Sequence, residues 1–200
     1  MKTIKYSKMD KDKIINTLIS GGILAFPTDT VFGLACIMDA KAIKKIYKAK
    51  GRDFDKPLPI MCNSLKMIKS IAKVNKNEKK LIDKFTPGPI TIIFNKKDNL
   101  EEYVNNGLDT IGIRIPDDEF ILDLIESINV PLMVTSANIS NTGSLLKWED
   151  VYESMKNRID GIVCEDSKGN EASSIVDVRD EIKILRQGPI SINQIKEALK

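Results

Sequence analysis

Residues 23–36, ILAFPTDTVFGLAC, decide the fold. Ile23–Phe26 are apolar without a break, as in a strand buried on both faces. TDTVFGLAC continues extended beyond Pro27. Upstream, Asp10 is placed to cap a helix with Ile14, Ile15, Leu18 and Ile19 on one face, ended by Gly21 and Gly22. Downstream, residues 39–49 form a second helix with Ile43, Ile46 and Tyr47 inward and Lys41, Lys44, Lys45 and Lys48 outward. Further strands are expected at LPIMC, ITIIF, TIGIRIP, PLMVTSAN, GIVCE, SSIVDV and IKILRQG. Further helices are expected from Ser64 to about residue 72, from an Asn77 cap to Phe85, over 117–127, over Trp148–Met155 and over 191–199. Residues 95–108, 140–147 and 166–172 read as loops. Strands and helices do not alternate strictly, which points to a mixed α/β (α+β) fold: a twisted, mixed sheet flanked by helices. With no repeat and no linker, residues 1–200 are expected to form one domain.

The composition fits an ordinary globular chain: 42% hydrophobic, 30% charged, net charge +3. Histidine is absent, which excludes Ser-His-Asp and Cys-His catalysis and every histidine-ligated metal. Cys36, Cys62 and Cys164 are too few and scattered for a disulfide or zinc framework, and free thiols in a reducing cytoplasm are expected. MKTIKYSKMDKDK leads into no apolar signal core, and no run approaches the roughly 20 residues of a membrane span, so neither export nor a membrane partner is expected. Only five of the 31 basic residues are arginine. Each is therefore a candidate for forked bonding to carboxylate or phosphate, which lysine does badly.

No phosphate-binding P-loop and no G-x-G-x-x-G occurs. KAKGRDFDKPL gathers Lys50, Arg52 and Lys56 around a flexible Gly51, either as a polyphosphate site or as a solvated loop on a helix C-terminus. PTDTVFGL sets Thr28, Asp29 and Thr30 after a buried strand, as a small-substrate site or a hydroxyl-rich turn. In TIGIRIP, Arg114 shares a strand face with Gly112 and Pro116, and it must find an anion: a structural carboxylate or a substrate's. TSANIS offers Ser136, Asn138 and Ser140 at a strand end for phosphate or ribose, or closes as a satisfied turn. Arg186 ends a strand beside Gly188, with phosphate and salt bridge as its two readings. The set, with no nucleophile, base or metal site of the usual kinds, suits phosphoryl or nucleotidyl transfer by positioning and charge neutralisation.

In order, PTDTVFGL, KGRDFDKPL, TPGPIT, TIGIRIP, TSANIS, SSIVD and ILRQG, spanning about residues 22–188, resemble the signature blocks of the YrdC-like domain, the threonylcarbamoyl-AMP synthases. The resemblance implies a mixed α/β sheet with a basic concave cavity. It implies that L-threonine, bicarbonate or CO2, and ATP give threonylcarbamoyl-AMP and pyrophosphate, for later transfer to an adenosine of certain tRNAs. It assigns Arg52, Lys56 and Lys50 to catalysis on the ATP phosphates, and Thr110, Ser136, Asn138, Ser144 and Arg186 to the nucleotide. Thr28, Met61, Arg114, Val134 and Ser174 are assigned to threonine, with Arg114 clamping its carboxylate. Mg2+ would arrive with ATP and no dedicated protein metal site is implied. tRNA or the downstream transfer proteins are the implied macromolecular partners. Met61 and Ile175 stand where many members carry polar residues, and LPIMC and TIGIRIP are also similar to the YciO branch.

Overall fold

The computed structural model describes residues 2–200. The strands are β1 Ile4–Tyr6, β2 Leu24–Phe26, β3 Gly33–Ile37, β4 Ile60–Met61, β5 Ala72–Lys73, β6 Ile90–Lys96, β7 Thr110–Arg114, β8 Leu132–Ser136, β9 Gly161–Val163, β10 Ser174–Asp177 and β11 Lys183–Arg186. The α-helices are α1 Lys11–Ile19, α2 Ala40–Lys50, α3 Leu65–Ile71, α4 Lys76–Phe85, α5 Glu102–Asn105, α6 Glu119–Ile128, α7 Trp148–Met155 and α8 Ile192–Leu199. The strands join one sheet in the order β1-β9-β2-β3-β8-β4-β7-β6-β10-β11, with β5 on the far end of β6. Pairs β1–β9, β9–β2, β4–β7 and β6–β10 are parallel. Pairs β2–β3, β3–β8, β8–β4, β7–β6 and β10–β11 are antiparallel. The mixed sheet expected from the sequence is the one observed.

Local chemistry fixes the helix ends. The Asp39 carboxylate accepts from the Lys41 and Ala42 N–H groups at the start of α2, both at 2.9 Å. Gly51 ends α2 at φ 59°, a left-handed conformation that a Cβ disfavours. α4 starts two residues earlier than expected: Asn75, not Asn77, is the cap. Its side chain takes the Glu78 N–H while the Glu78 carboxylate takes the Asn75 N–H. The Asn-x-x-Glu spacing is the signal that marks such a reciprocal cap. Asp10 precedes α1 but spends its carboxylate on Ser7 and Lys13 rather than on the helix amides.

The sheet is covered on both faces. On one, Ile14 and Leu18 of α1 and Ile121, Leu124 and Ile125 of α6 pack with Phe26, Met61, Leu132 and Val134. On the other, Ile43, Ile46 and Tyr47 of α2, Leu81 and Ile82 of α4, Val151 and Met155 of α7, and Ile195 of α8 pack with Leu34, Cys36, Ile60, Ile92 and Phe94. Each fully buried aliphatic side chain contributes about 1.5–3 kcal/mol. Ile19, expected inward, is 56% exposed because it is the last residue of α1, beyond the packed stripe of Ile14 and Leu18. Short elements escaped the sequence reading: β1, of which only Tyr6 is buried, β5, and the one-turn α5 inside the polar 95–108 stretch. Cys36, Cys62 and Cys164 are all free thiols, and burial pushes Cys62 up to about 12.

Candidate functional site

A single row of side chains runs across one sheet face. Leu132 of β8 pairs with Met61 of β4, and Met61 pairs with Arg114 of β7. One step beyond the Ile92–Ile113 pair, Thr91 of β6 stands opposite Arg114. Thr91 pairs with Ile175 of β10, and Ile175 with Arg186 of β11. Side chains at the same cross-strand level share a face, so the register alone sets two cations, a hydroxyl and three apolar groups along one line. All but the core residue Leu132 line a hollow completed by Thr28, Thr30, Val31, Phe32 and Gly33 from the β2–β3 segment, Val134 and Ser136 of β8, Ala172 and Ser173, and Arg52.

Arg114 is the fixed point of this hollow. Its Nε donates to the Gly88 carbonyl at 3.0 Å, Nη1 to Thr30 Oγ1 at 2.6 Å and Nη2 to Asp29 Oδ2 at 2.6 Å. Three of its five N–H bonds are thus engaged and two remain. Burial lowers its proton affinity, and the Asp29 charge opposes that shift. Of the two readings left open by the sequence, the structural carboxylate is the one observed, in Asp29, and Arg114 also lines the hollow. Thr28 Oγ1 donates to the Val31 carbonyl at 2.7 Å and accepts the Thr30 N–H at 3.0 Å, which stiffens the TDT turn. Loop residues 167–169 lie over that turn. The Lys168 N–H donates to the Thr28 carbonyl, and a Cβ on Gly169 would fall 2.3 Å from the Thr30 oxygen, so only glycine fits there.

A second hollow adjoins the first and shares Arg52 and Ser136 with it. Lys50, Asp53, Lys56, Asn138, Ser140, Asn141, Thr142 and Ser144 complete it. It is made from the end of α2 and two loops. Arg52 donates from Nε to the Lys56 carbonyl and from Nη2 to the Pro57 carbonyl, which folds the 52–57 loop around its own guanidinium. Lys56 pairs with Asp53 at 2.8 Å in the open. Lys50 behaves differently. It is 1% exposed, and its ammonium donates to the Ser136 carbonyl, to the Asn138 carbonyl at 2.7 Å and to Asn138 Oδ1 at 3.2 Å. Its own carbonyl accepts the Ser140 N–H at 2.8 Å. Burial, with the Arg52 charge, pushes Lys50 down to about 8. All three ammonium protons are spent on the 136–138 turn, so Lys50 shapes the second hollow rather than offering it a free cation. Ser140 Oγ is buried there without a hydrogen-bond partner.

Thr28, Met61, Arg114, Val134 and Arg186 meet in the first hollow; Lys56, Asn138 and Ser144 meet in the second; Arg52 and Ser136 join them. Two residues assigned by resemblance are elsewhere. Ser174 is fully buried: its hydroxyl donates to the Ile190 carbonyl and accepts the Gly188 and Ile190 N–H groups. It faces away because strand parity turns Ser173 and Ile175 into the hollow instead. Thr110 lies at the opposite end of β7, paired with Asn95, about 13 Å along the strand from Arg114. The sequence reading passed over Thr91 and Ser173. Their hydroxyls are 2.8 Å apart, and Ser173 anchors Arg186 through its carbonyl at 2.9 Å and its hydroxyl at 3.0 Å. The period of two in SSIVD carried that parity, but the pairing that makes it matter is long-range.

Among the described residues no group of three or more His, Cys, Asp or Glu side chains could hold a metal ion, and no helix is long and apolar enough to cross a membrane.

Comparison with known proteins gives this site a context. The Sua5/YciO/YrdC family profile, described as "Telomere recombination", matches residues 16–188. The threonylcarbamoyl-AMP synthase of Bacillus subtilis is 36% identical over 182 residues, 88% of this chain and 53% of the relative. That of Pyrococcus abyssi is 33% identical over 183 residues, 90% of this chain and 54% of the relative. The chain therefore spans about half the length of these two relatives. A Methanocaldococcus jannaschii protein provisionally given the same name is 36% identical and is covered over 95% of its length. The crystal structure of Pyrococcus abyssi Sua5 complexed with L-threonine superposes with a TM-score of 0.90 at 30% identity, over 98% of this chain and 60% of the other. Escherichia coli YciO, at 19% identity and a TM-score of 0.83, shares the fold. The profile match and these relatives establish that this chain belongs to the Sua5/YciO/YrdC family, whose members named here include threonylcarbamoyl-AMP synthases.

Proposed function

We infer that this chain is a threonylcarbamoyl-AMP synthase, making threonylcarbamoyl-AMP and pyrophosphate from L-threonine, bicarbonate and ATP. The observation that carries the reading is the junction of the two hollows at Arg52 and Ser136. One hollow is built on a fixed arginine, the other on loop cations, hydroxyls and an amide. An amino-acid carboxylate suits the two unspent N–H bonds of Arg114, with Thr28, Met61 and Val134 as the surrounding wall. The ATP phosphates suit Arg52 and Lys56, and the nucleotide suits Ser136, Asn138 and Ser144. At the junction, a carbamate oxygen formed on the amino acid attacks the α-phosphorus and pyrophosphate departs. Arg52 neutralises charge developing on the phosphates, and the fixed walls hold the two reactants close. Magnesium is assigned to the ATP triphosphate as part of the substrate, where it neutralises phosphate charge.

The adenylate product requires a transfer reaction to follow, and tRNA adenosine is its proposed destination. A cytoplasmic setting is proposed from the free thiols, two of them buried. The test is pyrophosphate release from ATP and magnesium, with threonine and bicarbonate each omitted in turn. Release that needs both is expected; release without either, or none with both, overturns the reading.

A further inference from the structure

The segment from Gly51 to Pro57 carries Arg52 and Lys56, the two cations assigned to the ATP phosphates, and its fold converges on one atom. The Lys56 carbonyl accepts from Arg52 Nε at 3.1 Å and from the Tyr47 hydroxyl at 2.9 Å. A carbonyl oxygen has two lone pairs, and both are engaged. Tyr47 belongs to α2 and is 2% exposed. Its ring stacks on that of Phe54 in the middle of the loop, with centroids 4.6 Å apart and planes 24° from parallel.

The next member comes from far along the chain. Asn106 caps the end of α5, in the connection between β6 and β7, and lines neither hollow. Its backbone is left-handed at φ 60°, a conformation that asparagine adopts more readily than most residues. Its Nδ2 donates to the Tyr47 hydroxyl oxygen at 3.1 Å and to the Phe54 carbonyl. Among the described residues, no other side chain from outside 47–57 hydrogen-bonds to the 51–57 segment.

The direction of this relay is fixed by its two ends. The Phe54 carbonyl can only accept, so it turns the amide nitrogen, not the amide oxygen, towards itself and Tyr47. The Lys56 carbonyl also can only accept. Asn106 therefore donates to the Tyr47 oxygen, and the Tyr47 proton goes to Lys56. Arg52 has Nε on the Lys56 carbonyl and Nη2 on the Pro57 carbonyl. Turning that face of the guanidinium to a phosphate gives up both bonds. The Tyr47 bond is independent of them and keeps the Lys56 backbone in place.

We propose that Tyr47 and Asn106 are positioning residues for the phosphate loop: their relay holds the Lys56 backbone while Arg52 turns from the loop carbonyls to the ATP phosphates. This rests on the synthase reading, which assigns those phosphates to Arg52 and Lys56, and adds the device that keeps the loop in shape for them.

The test uses the full chain carrying Tyr47→Phe, Asn106→Gly or both. Phenylalanine keeps the ring stack and loses only the hydroxyl. Glycine keeps the left-handed backbone and loses only the amide. Ile46→Val, beside Tyr47 on α2 and wholly buried, controls for general loosening of that helix. ATP dissociation is measured by titration calorimetry without amino acid, and KM for ATP and for threonine by pyrophosphate release. Tyr47→Phe is expected to raise ATP dissociation and KM for ATP about three- to tenfold, as loss of one hydrogen bond predicts, with KM for threonine within about twofold of native. Asn106→Gly should raise the same two quantities about three- to fivefold. The double variant should match Tyr47→Phe within about twofold, because the amide acts through the hydroxyl. Unchanged ATP dissociation in Tyr47→Phe overturns the proposal. So does an equal rise in Ile46→Val, an equal rise in KM for threonine, or a double variant showing the full product of the single effects. The calorimetric readout needs no turnover. A native chain that binds ATP but releases no pyrophosphate with all substrates overturns the synthase reading alone, and one that does not bind ATP overturns both.

Discussion

The two hollows are built by different means. The first hollow is built around strand side chains whose neighbours are set by sheet register, and its central ion pair, Arg114 with Asp29, is only 5% and 12% exposed. The loop hollow is made of a helix end and two loops, and its ion pair, Lys56 with Asp53, is 51% and 67% exposed. Removing one partner from a buried pair strands a charge, whereas an exposed pair is replaced by water. Energy and function should therefore be coupled in the first hollow and separable in the second.

Asp29→Ala gives the largest expected effect. It leaves the Arg114 guanidinium buried with one charged partner gone, and the unfolding free energy should fall by about 3–5 kcal/mol, read as a shift of the denaturant midpoint at unchanged slope. Loss of stability below about 1 kcal/mol would mean that water or Thr30 already satisfies Arg114, and the contrast between the hollows would collapse.

Ser174→Ala comes next and tests strand parity. The hydroxyl makes three hydrogen bonds to the 188–190 turn, so removing it should cost about 2–3 kcal/mol while leaving the threonine requirement of turnover intact. Ser173→Ala should lower both stability, by about 1–2 kcal/mol, and amino-acid use, because its buried hydroxyl pairs with Thr91 and braces Arg186 at the hollow. Equal loss of amino-acid use in both variants would place both side chains in the wall.

Lys50 is the point where the two construction modes meet, and pH reports it. Burial and Arg52 push it down to about 8 in the folded chain, against about 10.4 when unfolded. Between those values the unfolded chain binds more protons than the folded one, so stability rises with pH through that window. The slope from this group is at most about 1.4 kcal/mol per pH unit. Lys50→Met should flatten that rise and loosen the 136–138 turn. A native chain whose stability is level between pH 8 and 10 would show that the carbonyls around the ammonium hold its proton fully.

How much of this was legible in the sequence follows the same division. Arg114 in an apolar strand announced a buried partner by local reasoning, since a period of two and a desolvated cation suffice. The helix and strand frame was legible from apolar runs and caps, with Asn77 mistaken for the Asn75 cap because the Glu78 partner was not weighed. The Ser173/Ser174 exchange was decided by pairing with Thr91 across 82 residues, which no local pattern contains. Lys50, Arg52 and Lys56 look alike on the page as cations within seven residues. Only the position of α2 against the β8 turn buries the first and leaves the third in solvent.

Lys56→Ala and Asp53→Ala give the smallest effects and separate the loop hollow most sharply from its neighbour. Neither should move the denaturant midpoint, because the pair is solvated. Lys56→Ala should weaken ATP binding by about three- to tenfold through loss of one cation near the phosphates. Asp53→Ala should act in the opposite direction. The Asp53 carboxylate occupies the Lys56 ammonium proposed for the phosphates, and it is itself an anion beside the proposed phosphate loop. Removing it ends both the competition and the repulsion, so ATP should bind about two- to threefold more tightly, most visibly at low salt where exposed charges are least screened. Weaker ATP binding in Asp53→Ala would mean that Asp53 positions Lys56 for the phosphates rather than competing with them, and the loop hollow would then be as preorganised as the strand-built one.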